Sequence, residues 1–364
     1  MNIKESDVIK SLSTVDDPDL KKDLITLKMI EDIKVEGHHI SFTVVLTTPA
    51  CPLKEMIRKS CVDALERDIS TDIEVDINMT SNVTANINTS PDLKNIKNII
   101  AIASGKGGVG KSTVASNLAV SLAKTGAKVG LIDADIFGPS VPVMFGIEDQ
   151  KPAIVEEDGK SKILPIRQYG VELISIGLLT PPENAVVWRG PMASSALRQF
   201  FSDVKWGELD YLLVDLPPGT SDIHLTLVQS VSVTGAVIVT TPQKVAIADA
   251  QKGLAMFKQP QINVPLLGVV ENMSYFTPAE LPDHKYYIFG EGGGRAFAEK
   301  MDTPFLGEIP LVQSIRENGD NGRPAVLEHS PSADAFLNVS QNLARQIAIR
   351  NAAQSPTEKV EIKT

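Results

Sequence analysis

Ile99-Ile100-Ala101-Ile102-Ala103-Ser104-Gly105-Lys106-Gly107-Gly108-Val109-Gly110-Lys111-Ser112-Thr113-Val114-Ala115 is the stretch that decides the fold. A β-branched apolar run enters a loop that satisfies G-x-x-x-x-G-K-[ST]. The segment after it carries Val114, Leu118 and Leu122 at steps of four, so the order is strand, loop, helix. Glycines let the backbone turn with positive φ, so that successive N–H groups from Gly105 to Thr113, those of Gly107, Gly108, Val109 and Gly110 among them, can converge on phosphate oxygens. The helix starting near Lys111 adds its positive end. Lys111 is placed to reach terminal phosphates, and Ser112, with Thr113 beside it, to offer a hydroxyl to Mg2+.

Outward from this loop, short β-branched runs recur at Val129–Ile132, Tyr211–Val214, Val237–Val239 and Leu267–Val270, separated by helical segments. Near-continuous apolar strands alternating with helices predict an α/β domain, a mostly parallel sheet covered on both faces. Two strand ends carry acids, Asp133-Ala134-Asp135 and Asp215-Leu216-Pro217-Pro218-Gly219. They fall at the carboxyl edge, where ligands of open α/β sheets sit. Asp135 is the candidate for orienting an attacking water, Asp133 for the Mg2+ shell and Asp215 for the Walker-B acid, with Gly219 as a switch element. A last helix with Phe336, Val339, Leu343 and Ile347 on one face packs on this domain.

Upstream lies a second unit. Residues 1–79 read as a small α+β domain with an alternating strand at Ile40–Leu46, a helix from Leu53 to Ile69 that turns Met56, Ile57, Cys61, Ala64 and Leu65 inward, and a strand at Ile73–Ile77. Residues 80–97 are rich in Asn, Ser and Thr and predict a polar linker. The second domain covers 98–350, and 351–364 predict a mobile polar tail. With 35 basic and 45 acidic residues the formal charge is −10, which disfavours nucleic acid and anionic lipid as partners. The start lacks a basic, apolar leader and no run is long enough for a membrane helix. Two cysteines, Cys51 and Cys61, make no disulfide framework and suit a reducing compartment such as the cytoplasm.

Lys106 makes the loop more specific. A second lysine directly after the first glycine resembles the deviant loop of the MinD, nitrogenase iron protein and ArsA group of dimeric ATPases. That resemblance implies a homodimer in which Lys106 reaches the nucleotide of the facing subunit and acts, with Lys111 and Asp135, as a catalytic group. Across almost its whole length the chain resembles the Mrp/ApbC-type ATPases, carriers of iron–sulfur clusters. The segments that match are Trp188-Arg189-Gly190-Pro191, Asp215-Leu216-Pro217-Pro218-Gly219-Thr220, Thr240-Thr241-Pro242-Gln243, Glu271-Asn272-Met273-Ser274-Tyr275-Phe276 and Ile288-Phe289-Gly290-Glu291-Gly292-Gly293-Gly294. The first domain, through Asp17-Pro18-Asp19 and Thr48-Pro49-Ala50-Cys51-Pro52, resembles the metal-sulfur-assembly domain often fused in front of them. The resemblance implies ATP and Mg2+ as cofactors, apo iron–sulfur proteins and assembly factors as partners, and contact between Asn272 and adenine, with a purely structural amide as the other reading.

The chain departs from that family at one place. Cluster-carrying members have Cys-x-x-Cys after the Asn-Met-Ser-Tyr-Phe segment, and here Thr277-Pro278-Ala279-Glu280 stands there. Glu280, Asp283 and His284 suit a cluster poorly. Cys51, just ahead of a helix, is the candidate iron–sulfur ligand, whereas Cys61 falls on the apolar face of that helix. Two other functions stay open. One is a nucleotide-dependent scaffold without its own cluster, and the other a MinD- or ParA-like positioning ATPase.

Overall fold

A computed structural model of the chain describes residues 3–85, 93–157, 159–179, 189–278, 280–281 and 283–360. The contacts divide it into two compact units, one made of residues 1–84 with 348–354 and the other of 85–347 with 355–364.

In the first unit, α1 (Glu5–Leu12) is followed by the two-residue pair β1 (Asp16–Asp17) and β2 (Lys22–Asp23), then β3 (Ile30–Glu36), β4 (His39–Leu46), α2 (Lys54–Asp68) and β5 (Glu74–Ser81). β4 pairs antiparallel with β3 and parallel with β5, which requires α2 as the crossover. The Asp17-Pro18-Asp19 segment forms an Asx turn, with Asp17 Oδ1 accepting from the backbone N–H groups of Asp19 and Leu20 at 2.9 Å each. α2 buries Ile57, Cys61, Ala64 and Leu65. Met56, expected on the same face, is 54% exposed, because it sits one residue off the i, i+4 stripe that Ile57, Cys61 and Leu65 define.

The second unit holds an eight-stranded sheet. Its elements are β6 (Ile96–Ala103), α3 (Lys111–Lys124), β7 (Val129–Asp133), α4 (Val141–Phe145), the hairpin β8 (Ile154–Glu157) and β9 (Lys160–Ile163), β10 (Ile166–Gln168), β11 (Val171–Ser175), α5 (Gly190–Ser202), β12 (Leu209–Asp215), α6 (Asp222–Ser230), β13 (Gly235–Thr240), α7 (Lys244–Phe257), β14 (Leu266–Glu271), α8 (Gly293–Lys300), β15 (Phe305–Glu308), α9 (Gln313–Asp320) and α10 (Pro331–Ala353). The sheet order is β10-β11-β7-β12-β6-β13-β14-β15. Only the edge strand β10 runs antiparallel, so the mostly parallel α/β architecture holds. β6, β7, β12 and β13 are apolar almost throughout and buried residue by residue, as strands covered on both faces must be.

Two segment boundaries differ from expectation. β5 continues through Thr80 to Ser81 and β6 starts at Ile96, with Leu93 already buried in the second unit's core. The polar stretch is therefore shorter at both ends, because pairing with β4 and core burial extend into it; Asn88 and Pro91 lie outside the described residues. The expected mobile tail is helical to Ala353 and then docks on the second unit. Thr357 Oγ1 donates to Val233 O at 2.8 Å, Val360 N to Val228 O at 3.0 Å, and the Val360 side chain packs on the core. One apolar side chain in a polar sequence was enough to anchor it.

Candidate nucleotide site

The parallel register sets Ser175, Asp133 and Asp215 in one row, at matching positions on β11, β7 and β12. The loop 104–110 after β6 lies at the same edge of the sheet. Two of its glycines are required, Gly105 by packing and Gly110 by packing and conformation. A Cβ on Gly105 would stand 2.0 Å from the backbone carbon of Asp249 in α7, so that helix touches the start of the loop directly. Gly110 has φ +78, and its Cβ would lie 2.2 Å from Asn272 Nδ2.

Lys111 heads α3 and is buried, 6% exposed. Its Nζ donates to Asp215 Oδ1 at 2.7 Å and to Ser112 Oγ at 3.3 Å, and stands 4.0 Å from Asp135 Oδ2. One ammonium thus neutralises a fully buried carboxylate and faces a half-buried one. Burial raises the Asp135 carboxyl above its ordinary value, against the pull of Lys111. Asp215 Oδ2 is buried and has no hydrogen-bond partner among the described residues. A buried carboxylate oxygen with an unmade interaction, beside the Ser112 hydroxyl, is a hard-oxygen donor set of the kind Mg2+ takes. Ser112 and Asp215 therefore fit the ion.

Asp133, expected in the Mg2+ shell, is held by protein groups. Its Oδ2 accepts from Ser175 Oγ at 2.9 Å and Val141 N at 3.3 Å, and its Oδ1 from Asp135 N at 3.3 Å. Both oxygens are engaged by the protein. Complete burial and the neighbouring Asp215 charge push its carboxyl up to about 8. Ser175 went unseen in the sequence because a lone serine at a strand end carries no pattern; only register reveals it.

Asn272 at the end of β14 donates from Nδ2 to Val109 O at 2.8 Å, which is the structural task of the two alternatives. It also lines a cleft of about 470 Å³ with Gly110, Thr113, Met144, Ile315 and Arg316 among the other walls. Lys106 is exposed and makes no side-chain hydrogen bond or ion pair with the described residues. Gly219, φ +82, donates its N–H to Ser104 O at 2.8 Å, which ties the switch segment to the loop. The Gly-rich segment after β14 has a packing cause. Glu271, buried at the strand end, accepts from Gly294 N, and a Cβ on Gly293 would lie 2.4 Å from Pro242 O. Trp188 lies outside the described residues.

His224, in the first turn of α6, is the buried histidine near this site. Its Nδ1 accepts from Ser221 N at 3.2 Å and its Nε2 has no partner among the described residues. Burial holds it neutral and lowers its pKa from 6.5 to about 4. Between these values the unfolded chain binds the extra proton, so stability is present above 6.5 and is lost as pH falls towards 4, by roughly 3 kcal/mol. His224→Gln should flatten that acid limb in denaturation measured from pH 7 to 4.5; an unchanged slope would contradict the assignment.

The metal-sulfur candidates are less convergent. Among the described residues no group of three or more His, Cys, Asp or Glu could hold a metal ion. Glu280, Asp283 and His284 are all exposed, and Ala279 lies outside the described residues. Cys61 is fully buried and burial pushes its thiol up to about 12, which removes it from thiolate chemistry. Cys51 is half-buried, two residues ahead of the Leu53 cap of α2. Iodoacetamide at pH 8 should label Cys51 in the native protein and Cys61 only in denaturant; prompt labelling of Cys61 would contradict the buried assignment.

Comparison with known proteins decides the family. The description NUBPL iron-transfer P-loop NTPase matches residues 95–347, and the description iron-sulfur cluster assembly protein matches residues 5–77. The chain belongs to the NUBPL iron-transfer P-loop NTPase family. Relatives of that family named iron-sulfur cluster carrier protein include one from Synechocystis, 48% identical over 347 residues, covering 94% of this chain and 97% of the relative. Another, from Escherichia coli K12, is 43% identical and covers 95% and 91%. A nucleotide-binding protein of Archaeoglobus fulgidus, solved in complex with ADP, is 41% identical with a TM-score of 0.57 and covers 65% of this chain and 91% of its own. The family's P-loop NTPase character agrees with the loop geometry at Gly105 to Thr113.

Proposed function

We propose that this chain binds and hydrolyses ATP with Mg2+ and carries an iron–sulfur cluster as cargo to apo-proteins. The observation that carries the nucleotide part is the buried Lys111–Asp215 pair inside the loop, with the second Asp215 oxygen unpartnered. Lys111 moves from its carboxylate to the terminal phosphates, and the base occupies the cleft beside Asn272, Ile315 and Arg316. Mg2+, held through Ser112 and Asp215, supplies charge neutralisation at the phosphate oxygens. Asp135, at the rim of the site, orients the attacking water. Lys106, exposed and uncommitted, reaches the nucleotide of a second copy in a homodimer and stabilises charge on the transferred phosphoryl. Lys106→Ala should therefore keep nucleotide affinity within about twofold while lowering kcat by roughly 10³-fold; equal loss of binding and turnover would contradict the trans role.

ATP hydrolysis dependent on Mg2+, measured by phosphate release and lost in Lys111→Met, tests the enzyme reading. No described helix is long and apolar enough to cross a membrane, and the acidic balance disfavours nucleic acid as a partner. The relatives' carrier name, the assembly-type first unit and the two thiols support a cytoplasmic setting with apo iron–sulfur proteins and assembly factors as partners. Cys51, half-buried, is the thiol assigned to the cargo, since Cys61 is sealed. A second reading, a nucleotide-dependent scaffold without its own cluster, is favoured by the lack of a converging donor group among the described residues. A reconstituted protein without cluster absorbance would select the scaffold.

A further inference from the structure

The segment from Asp135 to Gly146 belongs to two parts of the site at once. It begins with the residue assigned to the water. Further on, Pro139, Ser140, Val143 and Met144 form one wall of the base cleft, with Ile315 and Arg316 of α9 among the rest. The two walls are joined behind the cleft. Gly146 (φ +63) meets Gly322 (φ +68) so closely that a Cβ on Gly322 would lie 2.5 Å from Gly146 Cα, and Tyr169 Oη donates to Gly322 O at 3.0 Å. Such a contact transmits displacement, because neither backbone can yield alone.

At the sheet end the segment hangs on one side chain. Asp133 Oδ2 accepts from Val141 N, the first residue of α4, and Oδ1 accepts from Asp135 N, each at 3.3 Å. Both bonds are longer than the usual range of about 2.7–3.2 Å for N–H···O and leave room to tighten. Ser175 Oγ fixes the carboxyl at 2.9 Å and itself accepts from Gly177 N at 3.1 Å. A Cβ on Gly177 would stand 3.3 Å from Pro139 and 3.4 Å from Pro142, so the same anchor braces the segment sideways.

We propose that Asp133 is a positioning residue that couples filling of the base cleft to the placing of Asp135. A base that draws the α4 wall inward moves Val141, and the carboxyl that Val141 shares with Asp135 carries the movement to the water-orienting group. Binding energy from the base is thereby spent at the phosphoryl centre, so the base is read in kcat as well as in KM. The proposal rests on the ATP-hydrolysis reading and deepens it.

The test compares kcat and KM for ATP and for methyl triphosphate, which lacks a base, each with Mg2+. The wild-type chain should turn over ATP roughly tenfold to a hundredfold faster than methyl triphosphate at saturation. In Asp133→Ala the kcat for ATP should fall to within about twofold of that for methyl triphosphate, with KM for ATP changed far less. A merely structural role would lower both substrates together and keep their ratio, and that result overturns the proposal, as does a wild-type ratio near one. Ser175→Ala, which removes one of the bonds to Asp133, should shrink the ratio by about threefold if Asp133→Ala does not fold; an unchanged ratio there also overturns it. Failure of the wild-type chain to hydrolyse either compound would instead remove the ATPase reading itself.

Discussion

Lys111→Met should lower ATP turnover by at least about 10²-fold and also destabilise the protein by about 3–5 kcal/mol. The two losses have different causes. Turnover falls because the ammonium that stabilises phosphoryl charge is gone. Stability falls because Asp215, fully buried, loses its partner at 2.7 Å. Removing one member of a buried pair leaves the other's desolvation uncompensated, whereas removing both is often nearly neutral. The double variant Lys111→Met/Asp215→Asn should therefore recover most of the stability in urea denaturation while remaining inactive. A single variant as stable as the parent chain would contradict the geometry of the site.

Gly105→Ala should be the most damaging of the small substitutions in the loop. The added methyl would meet backbone atoms of α7, Asp249 C at 2.0 Å and Ala250 N at 2.2 Å, and backbone cannot swing aside as a flexible side chain does. The helix or the loop must shift, at a cost of about 1–3 kcal/mol or more. A displacement near 1 Å in the phosphate cradle should lower turnover by roughly 10²-fold. Gly107→Ala is the control for stability, since its Cβ would meet only Pro218 Cγ at 3.8 Å. Equal melting temperatures for Gly105→Ala and the parent chain would show that α7 does not press on the loop.

These effects show what the sequence could and could not convey. The strand-loop-helix reading around Gly105–Thr113 and the five apolar strands were legible because burial on both faces writes itself as unbroken β-branched runs. The edge strands β10 and β15, three and four residues long, and β11 beside β10, interrupted by Glu172, were not. Asp133 and Asp135, two residues apart, were assigned to the Mg2+ shell and to the water with no sign of which one the protein itself engages. Only the register, which puts Ser175 and Asp215 on either side of Asp133, turns one acid into an internal anchor and leaves the other at the rim. Asn272 was open between two tasks, and the bond to Val109 O is a contact across 163 positions that no local pattern encodes. The docked tail escaped notice because a single valine among charged residues has no periodicity.

The central claim is that a nucleotide cycle at Lys111 and Asp215 serves cluster delivery by this chain. It is tested most directly by reconstituting the protein anaerobically with iron and sulfide, removing free iron, and following cluster transfer to an apo-ferredoxin with and without ATP and Mg2+. The expected result is cluster absorbance that Cys51→Ala loses, and transfer that ATP accelerates in the wild-type chain but not in Lys111→Met. A protein that hydrolyses ATP yet takes up no cluster, or that transfers at the same rate with and without nucleotide, would contradict it.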